Sequence, residues 1–240
     1  RCGPHKGVAH LGLASVTNAC YDLWAKKRGV PLWKLLIDLS PEEIVNTLDL
    51  SYLEDEMTRN QAIELLKNNL IEKEARTKII DNGYPGYDTS IGWFNYSDEQ
   101  VKENVYKAVS EGFTAMKLKV GSKEFERDIR RSHIVREAAG DNATIMLDAN
   151  QQWTLPQALE ICPQFLSMNP YWIEEPFSPD AIDLHAALAR QTKINVATGE
   201  MEAGRWRFRE LIDAGGVAIL QSDAAVCGGI TEWRRISAYA

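Results

Sequence analysis

The sequence predicts an α/β protein built as a (β/α)8 TIM-type barrel, incomplete, with about six βα units preceded by helices. Three observations predict it. From Tyr84 onward, short apolar segments alternate with amphipathic helical ones. The apolar segments are hydrophobic enough to be buried on both faces, as the strands of a parallel sheet are. The polar residues closing them, Lys119, Asp148, Glu174, Glu200 and Asp223, stand 29, 26, 26 and 23 residues apart. A (β/α)8 barrel of about 250 residues uses roughly 30 per unit. A doubly wound open sheet is the competing architecture, but the phosphate-binding glycines that would follow its first strand are absent.

Taken in order, residues 9–47 read as helical. "HLGLASVTNACYDLWAKKRG" has small and apolar residues at helical spacing and stops at Gly29. "PLWKLLIDL" starts on a proline, and "SPEEIV" pairs an N-cap serine, Ser40, with Pro41 at the first helical position. One long helix is predicted over 58–80, ended by Asp81-Asn82-Gly83. "YPGYDTS" then reads as a strand end and "IGWFNY" as an aromatic loop. The helix "SDEQVKENVYKAVSEGF" opens with a capping box from Ser97 to Gln100, and Val101, Val105, Ala108 and Val109 form its buried stripe. Five further strand–helix pairs follow, beginning "TAMKLKV", "ATIMLDAN", "YWIEE", "INVATGE" and "VAILQSD". The domain division predicted is 1–50 and 51–240.

The 240 residues are 45% hydrophobic, with 27 basic and 34 acidic side chains for a net charge of −7. An acidic chain with no Lys/Arg-rich tract is a poor partner for nucleic acid or an anionic membrane. No stretch approaches the ~20 apolar residues of a membrane span. Cys2, Cys20, Cys162 and Cys227 are scattered, without metal-ligand spacing, which fits a reduced, cytoplasmic protein and is equally compatible with mitochondria. His5, His10, His133 and His185 are isolated and receive no ligand or catalytic role. The first residue is Arg1 and the last segment, "TEWRRISAYA", reads as an unfinished helix, so both ends are expected to be cut.

The chemistry is concentrated at the strand ends. In "MKLKVG", alternation puts Met116, Leu118 and Val120 on one face and Lys117 and Lys119 on the other. The same parity groups Asp148 with Met146 and Asn150, Glu200 with Thr198, and Asp223 with Gln221. Glu174 and Glu175 point to opposite sides, and parity leaves open which faces the site. Acids converging there need a cation, and oxygen donors without His or Cys suit Mg²⁺, with Mn²⁺ as substitute, better than zinc. A lysine beside a divalent ion and a second ammonium loses its preference for the charged form and can act as general base. The other lysine would neutralise charge on the substrate. That set fits removal of a proton next to a carboxylate, through an enediolate stabilised by cations. Trp93, Phe94 and Tyr96 form a loop after the first strand, packed in the core or facing the substrate.

The ordered motifs "KLK", "LDANQ", "WIEEP", "ATGE" and "QSDAAVCGGITE" resemble the mandelate racemase-type branch of the enolase superfamily. Residues 7–135, with "TRNQAIELL…IIDNGYP" and "YDTSIGWFNYSDE", are similar to L-fuconate dehydratases; from about Phe177 the resemblance is to acid-sugar dehydratases of the branch in general. The resemblance implies a Mg²⁺-dependent hydro-lyase that turns a small-molecule sugar acid into a 2-keto-3-deoxy acid. It makes Asp148, Glu174 and Glu200 the metal ligands, which resolves the Glu174/Glu175 choice. Lys119 becomes the base, Lys117 its partner on the substrate carboxylate, Asn150 a residue beside the metal that contacts the substrate, and Asp223 the residue that orients a catalytic histidine; Trp93, from the loop after the first strand, is added as a substrate contact. Residues 1–50 resemble the trailing helices of an N-terminal capping domain. The sequence departs from the pattern in two ways: that histidine would fall beyond Ala240, and no capping sheet precedes the helices. The alternatives are another dehydratase or racemase of the branch, or a non-catalytic fragment that associates with a partner; a homo-oligomer is compatible with either.

Overall fold

A computed structural model describes residues 6–51, 56–81 and 83–240. Cys2, His5 and Asn82 lie outside them. The chain divides into two compact units, Ser15–Pro85 and the residues up to Ala14 together with Gly86–Ala240. Along the sequence the units change over at Ala14–Ser15 and at Pro85–Gly86.

In sequence, helix α1 (Val8–Arg28) has its residues up to Ala14 counted with one unit and those from Ser15 with the other. The first unit continues with α2 (Leu32–Asp38), α3 (Pro41–Asn46), α4 (Arg59–Asn68) and α5 (Lys73–Ile80). Ser40 and Glu43 form a reciprocal capping box on α3, and Thr58 and Gln61 do the same on α4. The single helix predicted over 58–80 is broken: a 3₁₀ turn, Asn69–Glu72, separates α4 from α5. Asn68 and Asn69 are weak helix formers, and the tighter i+3 bonding takes over there.

The second unit is a run of strand–helix pairs: β1 (Asp88–Gly92), α6 (Asp98–Ser110), β2 (Ala115–Lys119), α7 (Phe125–Ala139), β3 (Thr144–Asp148), α8 (Leu155–Phe165), β4 (Ile173–Glu174), α9 (Ile182–Gln191), β5 (Val196–Thr198), α10 (Arg205–Asp213), β6 (Ile219–Leu220) and α11 (Ile230–Tyr239). All adjacent strands pair in parallel, in the order β1-β2-β3-β4-β5-β6. Sequential order with helical crossovers is what a (β/α) barrel requires. Strand alternation sorts the core. Met116, Leu118, Ile145, Leu147, Ile173 and Val196 pack with Val101, Val105, Val135 and Ile161 of the helices. Met146, Trp172 and Ala197 fill the opposite face with Tyr87, Ala115 and Ile219.

Two helix expectations change. Val101, Val105 and Ala108 are buried, but Val109 is 43% exposed. At 100° per residue, Val109 sits about 80° around the helix from Val101, at the margin of the apolar stripe. Helix α8 ends at Phe165 and tightens into a 3₁₀ turn, Leu166–Met168, two residues after the internal Pro163, which lacks an amide donor.

Away from the strand C-termini, one side chain ties several loops together. Arg136 donates to the carbonyls of Met168 (2.9 Å), Gly140 (2.9 Å), Ala143 (2.8 Å), Asn169 (3.2 Å) and Asp141 (3.3 Å). Arg136→Met should lower unfolding stability by about 2–4 kcal/mol, since charge-assisted bonds are lost and half-buried carbonyls are left unpaired. Urea denaturation checks this; a change within ~0.5 kcal/mol would mean that water replaces the guanidinium freely.

Candidate active site

The strand register brings the sequence-predicted residues to one edge of the sheet. Lys119 is the Cα partner of Asp148, Asp148 is the partner of Glu174, and Glu174 that of Ala197. Lys117 lies two residues back on the same face as Lys119. Its ammonium is 2.7 Å from both carboxylate oxygens of Glu174 and 3.2 Å from Asp148 Oδ2. Lys119 Nζ approaches the same Asp148 oxygen at 2.5 Å. The result is a continuous chain, Lys119–Asp148–Lys117–Glu174, with Lys117, Asp148 and Glu174 buried. Of the two adjacent acids, Glu174 joins this chain. Glu175, at φ 41°, turns aside and accepts from Gln151 Nε2 at 2.9 Å.

Glu200 reaches this group by a different route from the one strand alternation predicts. Ala197 belongs to the face of Met146 and Trp172, whereas Val196, and with it Thr198, belongs to the helix-facing side. Continued alternation would carry Glu200 away from the lysines. Gly199 at φ 128° breaks the strand, and a Cβ there would come within 2.7 Å of Phe208. Glu200 then lies exposed at the rim, within the electrostatic reach of Glu174, Lys117, Asp148 and Lys119.

The electrostatics are unbalanced. Asp148, Glu174, Glu175 and Glu200 bring four carboxylates against the two ammoniums of Lys117 and Lys119. Burial acts against the charged form of Lys117, but the hydrogen bond and charge of Glu174, then Asp148, outweigh it and hold its pKa above the usual lysine value. Partial burial, then the Glu174 charge, holds the Glu200 carboxyl above the ordinary carboxylate range. Burial does the same to Glu175, with Glu200, Asp148 and Glu174 adding to it against the Gln151 bond. Among the described residues, no three His, Cys, Asp or Glu side chains close on a common point, and the Lys117 ammonium stands between Asp148 and Glu174. The donor chemistry nonetheless fits a hard divalent cation: all-oxygen ligands, an excess of two negative charges, and an ammonium standing between Asp148 and Glu174 where a cation is stabilised.

The remaining predicted residues are spread around this core. The backbone N–H of Asn150, at φ 46°, donates to Asp148 Oδ1 at 3.0 Å and so orients that carboxylate. Trp93 is 45% exposed, with Lys119 Nζ 5.3 Å from its ring centroid, a cation–π arrangement. Asp223 is exposed and accepts from the amides of Ala225 (2.5 Å) and Val226 (3.1 Å). Two contributors escaped sequence reasoning. Tyr87 places its ring 5.6 Å from Lys117 Nζ, and Trp172 donates Nε1 to Glu174 Oε2 at 3.3 Å. Trp172 sits two residues before Glu174 on one strand face, a signal that parity offered; Tyr87 precedes its strand and carries none.

Residues 100–240 match the family described as Enolase C-terminal domain-like. The chain belongs to the enolase superfamily. An L-galactonate dehydratase of Hypocrea jecorina is 39% identical over 96% of this chain and 52% of its own length. The crystal structure of human mitochondrial enolase superfamily member 1 superposes with a TM-score of 0.86 at 40% identity, covering 98% of this chain and 54% of that one. L-talarate dehydratase from Polaromonas sp. JS666, solved with Mg and L-glucarate, gives a TM-score of 0.74 at 28% identity over 98% of this chain and 54% of that one. The chain spans about half the length of these superfamily relatives. The matches are to a human superfamily member and to L-galactonate and L-talarate dehydratases, so L-fuconate, to which the sequence pattern points, is a narrower assignment than they carry. No helix among the described residues is long and apolar enough to cross a membrane.

Proposed function

We propose that the protein is a Mg²⁺-dependent dehydratase of a sugar acid with the L-galacto configuration. The observation that carries this reading is the ion-pair chain Lys119–Asp148–Lys117–Glu174, which sets two ammoniums beside a carboxylate cluster at the strand C-termini. L-Fuconate is 6-deoxy-L-galactonate, so the resemblance in the sequence and the L-galactonate dehydratase relative agree on stereochemistry at C2 to C5. Asp148, Glu174 and Glu200 would hold Mg²⁺, which, when bound, supplies positive charge for a substrate carboxylate as it becomes an enediolate. Lys119 removes the C2 proton. Lys117, whose charged form the site favours, faces the substrate carboxylate. Asn150 keeps Asp148 oriented, and Trp93 walls the Lys119 side. Loss of the 3-hydroxyl with a proton gives an enol, which tautomerises to the 2-keto-3-deoxy acid; the family resemblance assigns Asp223 to orienting a histidine for this step, which would require its carboxylate to leave the Ala225 and Val226 amides. A reducing compartment, cytoplasm or mitochondrial matrix, accords with the free thiols of Cys20, Cys162 and Cys227.

The test uses L-fuconate, L-galactonate and their C2 epimers with Mg²⁺ in D₂O. Keto-acid formation from the L-galacto pair supports the reading. Exchange of the C2 hydrogen alone supports the base assignment and moves the elimination step elsewhere, and epimerisation without keto acid moves the protein to the racemases. Mg²⁺ itself should raise the melting temperature by about 5 °C or more near a hundredfold excess over Kd. Asp148→Asn and Glu200→Gln should abolish that rise; a shift that survives both would place the metal elsewhere.

A further inference from the structure

Helix α7 follows β2, the strand that carries both lysines, and presents Arg127, Asp128 and Arg131 toward the loops on either side of Lys119. Asp128 and Arg131 are both 0% exposed. Asp128 Oδ2 accepts from the amides of Gly121 (2.7 Å) and Ser122 (2.8 Å), which fixes the turn leaving β2. Arg127 donates to the carbonyls of Phe94 (2.5 Å) and Tyr96 (3.4 Å) in the loop after β1. Arg131 spans the two: Nη2 donates to the Trp93 carbonyl at 2.7 Å and Nη1 to the Lys119 carbonyl at 3.4 Å. Gly92 packs beside it: a Cβ there would lie 2.3 Å from Leu118 Cδ1 and 3.3 Å from Arg131 Nη2, so a larger residue would have to displace the Leu118 side chain.

This placement is costly. A guanidinium carries five N–H donors, yet Arg131 satisfies two carbonyls, and its buried Nε has no partner. Burial, then the charge of Arg127, pushes its pKa below the usual arginine value. For stability alone, an apolar side chain of similar volume serves a core position as well or better. What an apolar side chain cannot do is hold one carbonyl at the end of β2 and another in the loop after β1 with one rigid planar fork. Those carbonyls belong to Trp93 and Lys119, the two residues whose side chains meet at 5.3 Å over the site.

We propose that Arg131 is a positioning residue: by holding the Trp93 and Lys119 carbonyls in one fork, it locks the indole against the Lys119 ammonium, so that wall and base move as one unit. The catalytic part of this rests on the assignment of Lys119 as base; the mechanical part does not.

The experiment is hydrogen exchange by mass spectrometry on the full chain carrying Arg131→Met or Arg131→Lys. Amides at 93–97 and 119–123 should exchange at least tenfold faster in R131M and by less in R131K, while β4 and β5 keep wild-type rates. Turnover, or C2-hydrogen exchange of the sugar acid, should fall tenfold or more in kcat with R131M. Added to Trp93→Ala, R131M should cost little further, because the indole it holds is gone. Unchanged exchange at 93–97 would overturn the proposal, and so would a uniform rise across all strands, the mark of a merely structural role. R131K keeps the charge without the planar fork and decides the matter if R131M does not fold. Faster loop exchange with no activity in the wild type would uphold the tie and remove the base assignment instead.

Discussion

Lys119→Met is expected to lower sugar-acid turnover by about a thousandfold or more while leaving a folded protein whose melting temperature still responds to Mg²⁺. General base catalysis contributes on the order of 10²–10⁴ in rate, and a methionine cannot accept the C2 proton. The fold should tolerate the change because Asp148 keeps a second cation: Lys117 Nζ remains 3.2 Å from its Oδ2. The stem of methionine also preserves the contact with Trp93. Steady-state kinetics and C2-hydrogen exchange in D₂O provide the check. Should K119M retain exchange while Lys117→Met abolishes it, the two lysines have each other's roles.

Lys117→Met should have the opposite profile, a large loss of stability. It removes an ammonium that grips both oxygens of Glu174, leaving a buried carboxylate with the Trp172 indole N–H at 3.3 Å. Breaking one partner of a buried pair costs about 3–5 kcal/mol, because the remaining charge has no compensation. Replacing both partners by apolar residues, Lys117→Met with Glu174→Leu, should restore most of that loss, since no uncompensated charge remains. Urea denaturation of the two single variants and the double variant measures the coupling. A double variant no more stable than K117M would show that Lys117 is held by its packing against Tyr87 rather than by Glu174.

Much of the site was legible in the sequence because strand geometry is periodic. Lys117 and Lys119 share a face, and Asp148 and Glu174 fall into register with Lys119, since parallel strands of one sheet repeat the same alternation. Arg131 was not legible: it reads as an ordinary helix cation, and nothing local says that its guanidinium passes into the interior. Asp223, placed by its spacing, by parity with Gln221 and by the family resemblance, turns its carboxylate onto its own loop amides, a short-range bond that competes with any long-range partner.

By itself the sequence determined the alternation of strands and helices, the caps at Ser40 and Ser97, and the edge of the sheet where the acids and lysines gather. These follow from side-chain periodicity and from local hydrogen bonds, which act within a few residues. Tertiary structure alone decided that Gly199 swings Glu200 to the rim and that Trp93 covers Lys119; between Glu174 and Glu175 strand parity was silent, the family resemblance chose Glu174, and Glu174 is the one paired with Lys117. Each depends on where two distant segments lie in space. A backbone turn at one positive-φ residue reverses which face the next side chain takes, and a contact across strands exists only once the sheet has formed.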